Sequence, residues 1–336
     1  MEPETCDICR FDNAEYPIPD CLGTLRALGT WWSLLTQGVD ASSLARRPAP
    51  TTWSASEYAT HSAGLTGALG WLFGTGMRAP IHDLPHIADG DARADDPPPG
   101  PEVDVRGALD QRILEIDESA QRIARKAASV PFDDEAWTHA VVVNGERVDP
   151  NWILRHVVHD ATHHLIDVGR GLAGFGIGPL AGTTGSVLAL HASGGGVPKL
   201  AIPEARVGRR GIDGDRQAKR RHHGRVWQAL CLFSIEVIEG FRAEGHPIEA
   251  GSTGENLTIR GIDWSTLRPG TRLGIGDEVV AEITVPALPC HQNARWFSDG
   301  DSGRMHHERH PGESRLYARV VRDGVIRTGD TVVVEP

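Results

Sequence analysis

Arg155-His-Val-Val-His-Asp-Ala-Thr-His-His-Leu-Ile-Asp167 places four histidines, at 156, 159, 163 and 164, within one expected helix. On a wheel turning about 100° per residue, His156, His163 and Trp152 fall within about 60° of His159. Leu154, Val157, Val158, Ala161, Leu165 and Val168 take the other side. Such a helix buries its apolar face and presents imidazoles from the opposite one. His159 and His163 are four residues apart, so their ring nitrogens are close enough to share a metal ion. A solvated histidine-rich face would be written with the same letters, and His156 and His164 leave the register open.

Outward from this helix, Asp149 and Pro150 are its cap and first residue. Before them, Ala140-Val-Val-Val-Asn-Gly-Glu-Arg-Val148 reads as two short strands about an Asn144-Gly145 turn. A helix is expected over 103–129, with Leu109, Ile113, Ile116 and Ile123 on its stripe. Another begins at Ser54-Ala-Ser-Glu57, which has the form of a capping box, and carries Leu65, Leu69 and Leu72. His61 shares that face, either as a core histidine with one hydrogen bond or as a ligand. Residues 21–38 form a first helix with Asp20 as N-cap, and the proline-rich 78–101 reads as a loop. Four helices with long connections and one hairpin predict a four-helix bundle.

The glycine-rich Gly171-Leu-Ala-Gly-Phe-Gly-Ile-Gly-Pro179 ends the histidine helix and marks a domain boundary. Beyond it, β-branched segments at 184–191, 202–208, 256–260, 271–285, 316–322 and 331–335, with one helix ending near Ala243, predict a mostly-β barrel. The fold class is therefore multi-domain α and β, with a bundle over 10–172 and a barrel over 180–336. Residues 298–313 read as a mobile insertion whose His306, His307 and His310 are solvated.

A length of 336 residues suits two cores. A net charge of −11 gives no basic footprint for nucleic acid. No apolar run reaches membrane-spanning length and no signal peptide opens the chain, so a cytoplasmic protein is expected. Five cysteines, at 6, 9, 21, 231 and 290, do not make a disulfide framework. Cys6-x-x-Cys9 has the spacing of half a metal site or a redox pair, but no second CxxC follows, and it is not counted among the candidate site residues.

Trp53-Ser-Ala-Ser-Glu57 with His61, and His159-Asp-Ala-Thr-His163-His164, make the first half resemble the DinB-like, or YfiT-like, metal-binding bundles. That resemblance implies a divalent ion (zinc, nickel or iron) on one histidine of the second bundle helix and two of the fourth. Carried over residue by residue, these are His61, His159 and His163. Asp160 and Asp167 are candidates to hold ring N–H groups from behind. The resemblance also implies low-molecular-weight thiols as substrates.

The second half resembles a MOSC domain, the module named for the C-terminal part of molybdenum cofactor sulfurase. The resemblance is carried by Ser193-Gly-Gly-Gly-Val-Pro-Lys199, Gly211-Ile-Asp-Gly-Asp-Arg-Gln-Ala218, His222-His-Gly-Arg225, Gly251-Ser-Thr-Gly-Glu-Asn-Leu-Thr258 and Leu288-Pro-Cys290. It implies sulfur carriage as a persulfide on Cys290, or molybdenum cofactor bound with Cys290 as ligand. Lys199, Arg221, His223, Arg225, Gly254, Glu255 and Asn256 are the candidate cofactor-binding residues. A solvated basic run at 219–225, a turn at Gly254 and an inert buried Cys290 would use the same letters. The chain has neither an aminotransferase-like domain to supply sulfur nor a ferredoxin-type cysteine set to supply electrons. The expected function is sulfur or thiol transfer with an external desulfurase. A cofactor-dependent reductase with an electron-transfer partner and a non-catalytic carrier are the alternatives; the oligomeric state is left open.

Overall fold

A computed structural model describes residues 4–6, 8–9, 11–84, 104–143, 145–216 and 226–335. The chain divides into two compact units, Met1–Ile177 and Gly178–Pro336. In the first, strands β1 (Thr5–Cys6) and β2 (Phe11–Asp12) form a hairpin ahead of helix α1 (Ile18–Thr36) and the short α2 (Ala41–Ala45). Helix α3 (Ala55–Gly76), strand β3 (Ile81–Leu84), helix α4 (Val105–Ala128), strands β4 (Val141–Val143) and β5 (Glu146–Val148), and helix α5 (Pro150–Ala173) follow. Helices α1, α4, α3 and α5 close a ring in that order, each packing on two neighbours. This is the expected four-helix bundle. Trp32, Phe73, Leu25, Ile116 and Ile153 fill its centre. Gly29 has its use here: a Cβ would meet the Asp117 side chain at 2.5 Å, so the glycine lets α1 and α4 approach.

Local signals set the helix starts. Ser54 Oγ accepts from Glu57 N at 3.3 Å while Glu57 Oε2 accepts from Ser54 N at 2.8 Å, the reciprocal capping box. Asp149 caps α5 by accepting from Trp152 N at 2.7 Å. Helix α1 starts earlier than expected, on Pro17, with Asp20 buried inside its first turn. Ser54→Ala should cost about 1 kcal/mol, read from denaturation curves. Burial pushes the Glu57 carboxyl up, but hydrogen bonds from Arg47 and Ser54 more than reverse this, so its pKa lies below the ordinary value. The stabilisation is then present above the ordinary value of about 4.3 and is lost as pH falls through the folded value. Glu57→Gln should be less stable than wild type at neutral pH, with the gap closing as denaturation is measured at progressively more acid pH.

Part of the segment 78–101 is ordered rather than loop: β3 pairs in parallel with β4, Ile81 opposite Val141. Residues 85–101 and Asn144 of the expected turn lie outside the described residues.

The second unit contains β6 (Thr184–Ala192), β7 (Leu200–Ile202), β8 (Glu204–Gly208), β9 (Gly211–Ile212), β10 (Leu230–Ser234), α6 (Ile235–Ala243), β11 (Leu257–Arg260), β12 (Arg272–Ile275), β13 (Val279–Pro286), β14 (Leu316–Arg322), β15 (Gly324–Arg327) and β16 (Thr331–Val334). The strands run β11-β10-β14-β13-β12-β16-β6, and β6 pairs back onto β11, closing a seven-stranded barrel with β7 on the flank of β6. The β10–β11 pair is parallel, with α6 in the connection; the other barrel pairings are antiparallel. Val187, Leu232, Leu257, Leu273, Ile283 and Val332 belong to the core. β8, β9 and β15 make a separate three-stranded sheet.

The expected insertion at 298–313 is not solvated chain. A 3-10 turn at Ser302–Met305 buries Met305 in a cluster with Phe241 and Phe297, and Arg304 pairs with Glu244 at 2.6 Å and with Glu313. His306, His307 and His310 are half-buried. Among the described residues, no helix is long and apolar enough to cross a membrane.

Candidate functional site

The apolar face of α5 is buried as expected, with Ile153, Leu154, Val157, Val158, Ala161, Leu165 and Val168 against the bundle. The polar face holds two ligand pairs, not one. His159 and His163 are four residues apart, as are Asp160 and His164, and the one-residue offset turns the second pair about 100° around the helix. His61 on α3 faces the second pair. The expected trio His61, His159 and His163 is therefore not brought together: His61 groups with Asp160 and His164, while His159 and His163 group with Cys6 and Cys9, each set having ligand atoms within 4.8 Å of one another.

In the first set, Asp160 Oδ1 lies 3.3 Å from His164 Nε2 and 3.7 Å from His61 Nε2. Nitrogen and oxygen ligands about 2.0–2.1 Å from a tetrahedral ion sit about 3.3–3.4 Å apart, so these atoms already form an edge of such a shell. His164 Nδ1 is 3.0 Å from Asp167 Oδ2, so a carboxylate lies behind the ring and points Nε2 at the site. Asp160, expected only as such a support, stands in a ligand position; Asp167 takes the supporting role. Burial pushes the Asp160 carboxyl up, but the His164 and His61 rings outweigh it and hold it well below the usual carboxylate range. Burial likewise opposes charge on His164, yet Asp160 and Asp167 raise it to about 9. Trp53 and Tyr58 wall the site, their rings 5.1 Å from His61 and 5.0 Å from His164. Burial, with Asp167 and Glu57 nearby, pushes the Tyr58 hydroxyl up to about 12, so it stays a proton donor. Two imidazoles and one carboxylate are three possible ligands, one fewer than a tetrahedral ion takes, which is the ligand count of a catalytic rather than a structural site.

In the barrel, Cys290 is exposed just before a 3-10 helix, His291–Trp296. Its N–H donates to Asn293 Oδ1 at 3.1 Å, and Arg315 lies beneath, donating to Thr253 O at 2.6 Å, Leu288 O at 3.3 Å and Asn293 Oδ1 at 3.4 Å. Burial pushes the Arg315 pKa down, but Cys231, Tyr317, Glu255 and Cys290 more than reverse it, so the guanidinium keeps its charge. A cleft of about 400 Å³ is lined by Gly195–Pro198, His291, Gln292 and Arg295, and Arg295 Nη2 donates to Val197 O across it.

The other expected cofactor-binding residues form the wall behind. Lys199 Nζ is 2.5 Å from Asp215 Oδ2, both nearly buried, and Asn256 Nδ2 donates to the same oxygen at 3.0 Å. Glu255 is wholly buried and its carboxylate is taken up by Gly251 N at 2.6 Å and Thr253 Oγ1 at 2.8 Å. Gly254 has φ +93°, which suits the turn. Lys199, Glu255 and Asn256 thus spend their polar atoms on one another's loops. Arg221, His223 and Arg225 lie outside the described residues. Asp215 stands inside the quoted Gly211–Ala218 stretch without being singled out there, and no spacing marks Arg315, which acts through the fold.

A comparison with curated proteins gives no match. Among solved structures, the chain is similar to the YuaD protein from Bacillus subtilis, at 19% identity and a TM-score of 0.39, over 45% of this chain and 95% of that one. It is similar to YiiM from Geobacillus stearothermophilus at 20% identity and a TM-score of 0.37, over 45% and 75% of the two chains. The helical part is similar to YfiT from Bacillus subtilis, described as a probable metal-dependent hydrolase with an unusual four-helix bundle topology, at 12% identity and a TM-score of 0.38, over 48% and 89%. The family model of the MOSC domain matches residues 219–333. Those residues, a MOSC domain, hold every barrel strand except β6 and the last residue of β16.

Proposed function

We propose that this protein transfers sulfur, with Cys290 of the MOSC domain as the carrier, and that its bundle holds one divalent ion on His61, Asp160 and His164. The observation that carries the first part is exposure: Cys290 is the exposed cysteine, whereas Cys9, Cys21 and Cys231 are buried and Cys6 is half-buried. In the transfer, the Cys290 thiolate attacks the terminal sulfur of a donor persulfide. A bond forms from Sγ to that sulfur, the donor S–S bond breaks, and the donor leaves as a thiolate that takes a proton from solvent. No oxidant is consumed. The donor is an external desulfurase or a low-molecular-weight persulfide.

In the bundle, the donor set suits zinc, nickel or iron, and the Asp167 support behind His164 fits a ligand rather than a free imidazole. A bound ion supplies Lewis acidity toward a thiol or water. Trp53 and Tyr58 limit access, and Tyr58 keeps its proton for donation.

A second reading makes Cys290 a molybdenum ligand, and the cleft is the observation favouring it. Its volume suits a cofactor-sized ligand. Backbone at Gly195 and Gly196 with the Arg295 guanidinium would hold an anionic pterin phosphate. A bound cofactor would supply two-electron chemistry, with electrons from a partner.

Incubation with a persulfide-loaded desulfurase, followed by peptide mass spectrometry, should find one added sulfur atom on Cys290 and none in Cys290→Ser. An unmodified Cys290, with molybdenum co-purifying in wild type and lost in Cys290→Ser, would reject carriage in favour of the cofactor reading.

A further inference from the structure

The β1–β2 hairpin presents Cys6 and Cys9 to the α5 pair that does not face His61. Each strand is two residues long, Thr5 pairing with Asp12 and Cys6 with Phe11. So few ladder bonds do not order a hairpin in water. Something joins it to the helix. Cys9 is 1% exposed, and Phe11 stacks on the His159 ring at 4.5 Å with planes 8° apart.

The ring nitrogens decide what the joint is. His163 Nδ1 lies 3.5 Å from Cys6 Sγ, and its Nε2 is 3.6 Å from Asp167 Oδ2. His159 Nδ1 lies 2.6 Å from Glu4 Oε1, which also holds His156 Nδ1 at 2.9 Å. That leaves His159 Nε2, which is buried and makes no well-formed hydrogen bond, with the Cys6 and Cys9 sulfurs as the groups that reach the ring besides Glu4. A buried nitrogen without a partner is costly unless it meets a proton donor or a metal. Both histidines thus have a carboxylate near one nitrogen, leaving the other for the sulfurs, the arrangement that holds histidines to metals. With metal–sulfur bonds of about 2.3 Å and metal–nitrogen bonds of about 2.05 Å, sulfur and nitrogen lie about 3.6 Å apart around a tetrahedral ion. The Cys6–His163 separation is close to that edge.

We propose that Cys6, Cys9, His159 and His163 bind a zinc-class ion in a closed Cys2His2 site that staples the N-terminal hairpin to α5. Two thiolates and two neutral imidazoles complete a tetrahedron and leave no position for substrate, so the site is structural. Binding releases the two thiol protons to solvent, and the thiolate charges cancel that of the ion, as a half-buried site requires. The proposal shares no ligand with the His61 site and stands without it; Asp167 alone lies near a ring of each.

Cobalt(II) is the probe, because it gives a near-ultraviolet charge-transfer absorption only on thiolates. The full chain loaded with cobalt should show that absorption. Cys9→Ser should lose it, and His61→Ala should keep it while losing the other ion. In zinc-loaded wild type, an alkylating reagent should label the exposed Cys290 and spare the half-buried Cys6, and a chelator should abolish that protection. Three results would overturn the proposal: no thiolate absorption in cobalt-loaded wild type; Cys6 labelled as fast with zinc as after chelation; or a Cys6–Cys9 disulfide in protein purified under reducing conditions. The labelling arms use wild type, so a Cys9→Ser chain that misfolds leaves the test intact. Failure of the His61 site alone would change metal content without changing the sulfur signals.

Discussion

His164→Ala is expected to strip the open site of its ion while leaving the hairpin site loaded. The substitution removes one of two imidazoles and leaves Asp160 and His61 as a two-ligand remnant. Losing a group that only supports a ligand costs about 10–100-fold in metal affinity, so loss of the ligand should exceed about 100-fold. Metal analysis after dialysis should therefore fall by one equivalent per chain. His163→Ala, one residue away, should spare this ion and disturb the thiolate signal instead. The contrast follows from the offset of two i, i+4 pairs on one helix, since a shift of one residue turns a side chain by about 100°. Asp167→Asn should fall between, weakening but not abolishing binding at the open site, because it alters what lies behind His164 and removes no ligand. Full metal content in His164→Ala would refute the assignment of His61, Asp160 and His164 as ligands.

Arg315→Leu should strongly destabilise the barrel. The guanidinium is buried, and its donors serve Thr253 O, Leu288 O and Asn293 Oδ1. Leucine leaves those acceptors short of donors and removes the cation opposite Glu255 and Cys290. Hydrogen bonds involving a charged group contribute about 1.5–3 kcal/mol each, and part of the loss is recovered because Thr253 O still accepts from Asn293 Nδ2. A net cost of about 3 kcal/mol would lower the melting temperature of a unit this size by about 6–12 °C. Because the bonds anchor the Leu288–Asn293 turn, the Cys290 backbone should also gain amide exchange. Arg315→Lys keeps the charge but not the fork, and should recover part of the loss. An unchanged melting temperature would rule out this role.

The signals that were legible in sequence are local ones. Ser54 with Glu57, and Asp149 with Pro150, announce helix starts because a cap is satisfied within one turn. The apolar stripe of α5 shows which face is buried for the same reason. The strand β10 was not marked, because Leu230–Ser234 is buried throughout and so lacks alternation, and it runs directly into α6. Segment 271–285 holds two strands, β12 and β13, which turn at Gly276, φ +59°. The choice between His159/His163 and Asp160/His164 as partners of His61 is a question of helix phase, which only the packing of α3 against α5 decides. Cys6-x-x-Cys9 and His159-x-x-x-His163 together spell a Cys2His2 pattern. The separation of 157 positions between Cys6 and His163 hid it, since nothing in either pair says that the other is near.

Asp167 gives these two sites a common term. The same oxygen, Oδ2, lies 3.0 Å from His164 Nδ1 and 3.6 Å from His163 Nε2, one ring from each ligand pair. An ion that strengthens the carboxylate's hold on one imidazole weakens what it offers the other. Occupancy at the hairpin would then tune affinity at the open site, and linkage requires the reverse effect to have the same magnitude. A titration of either ion would carry the signature of the other.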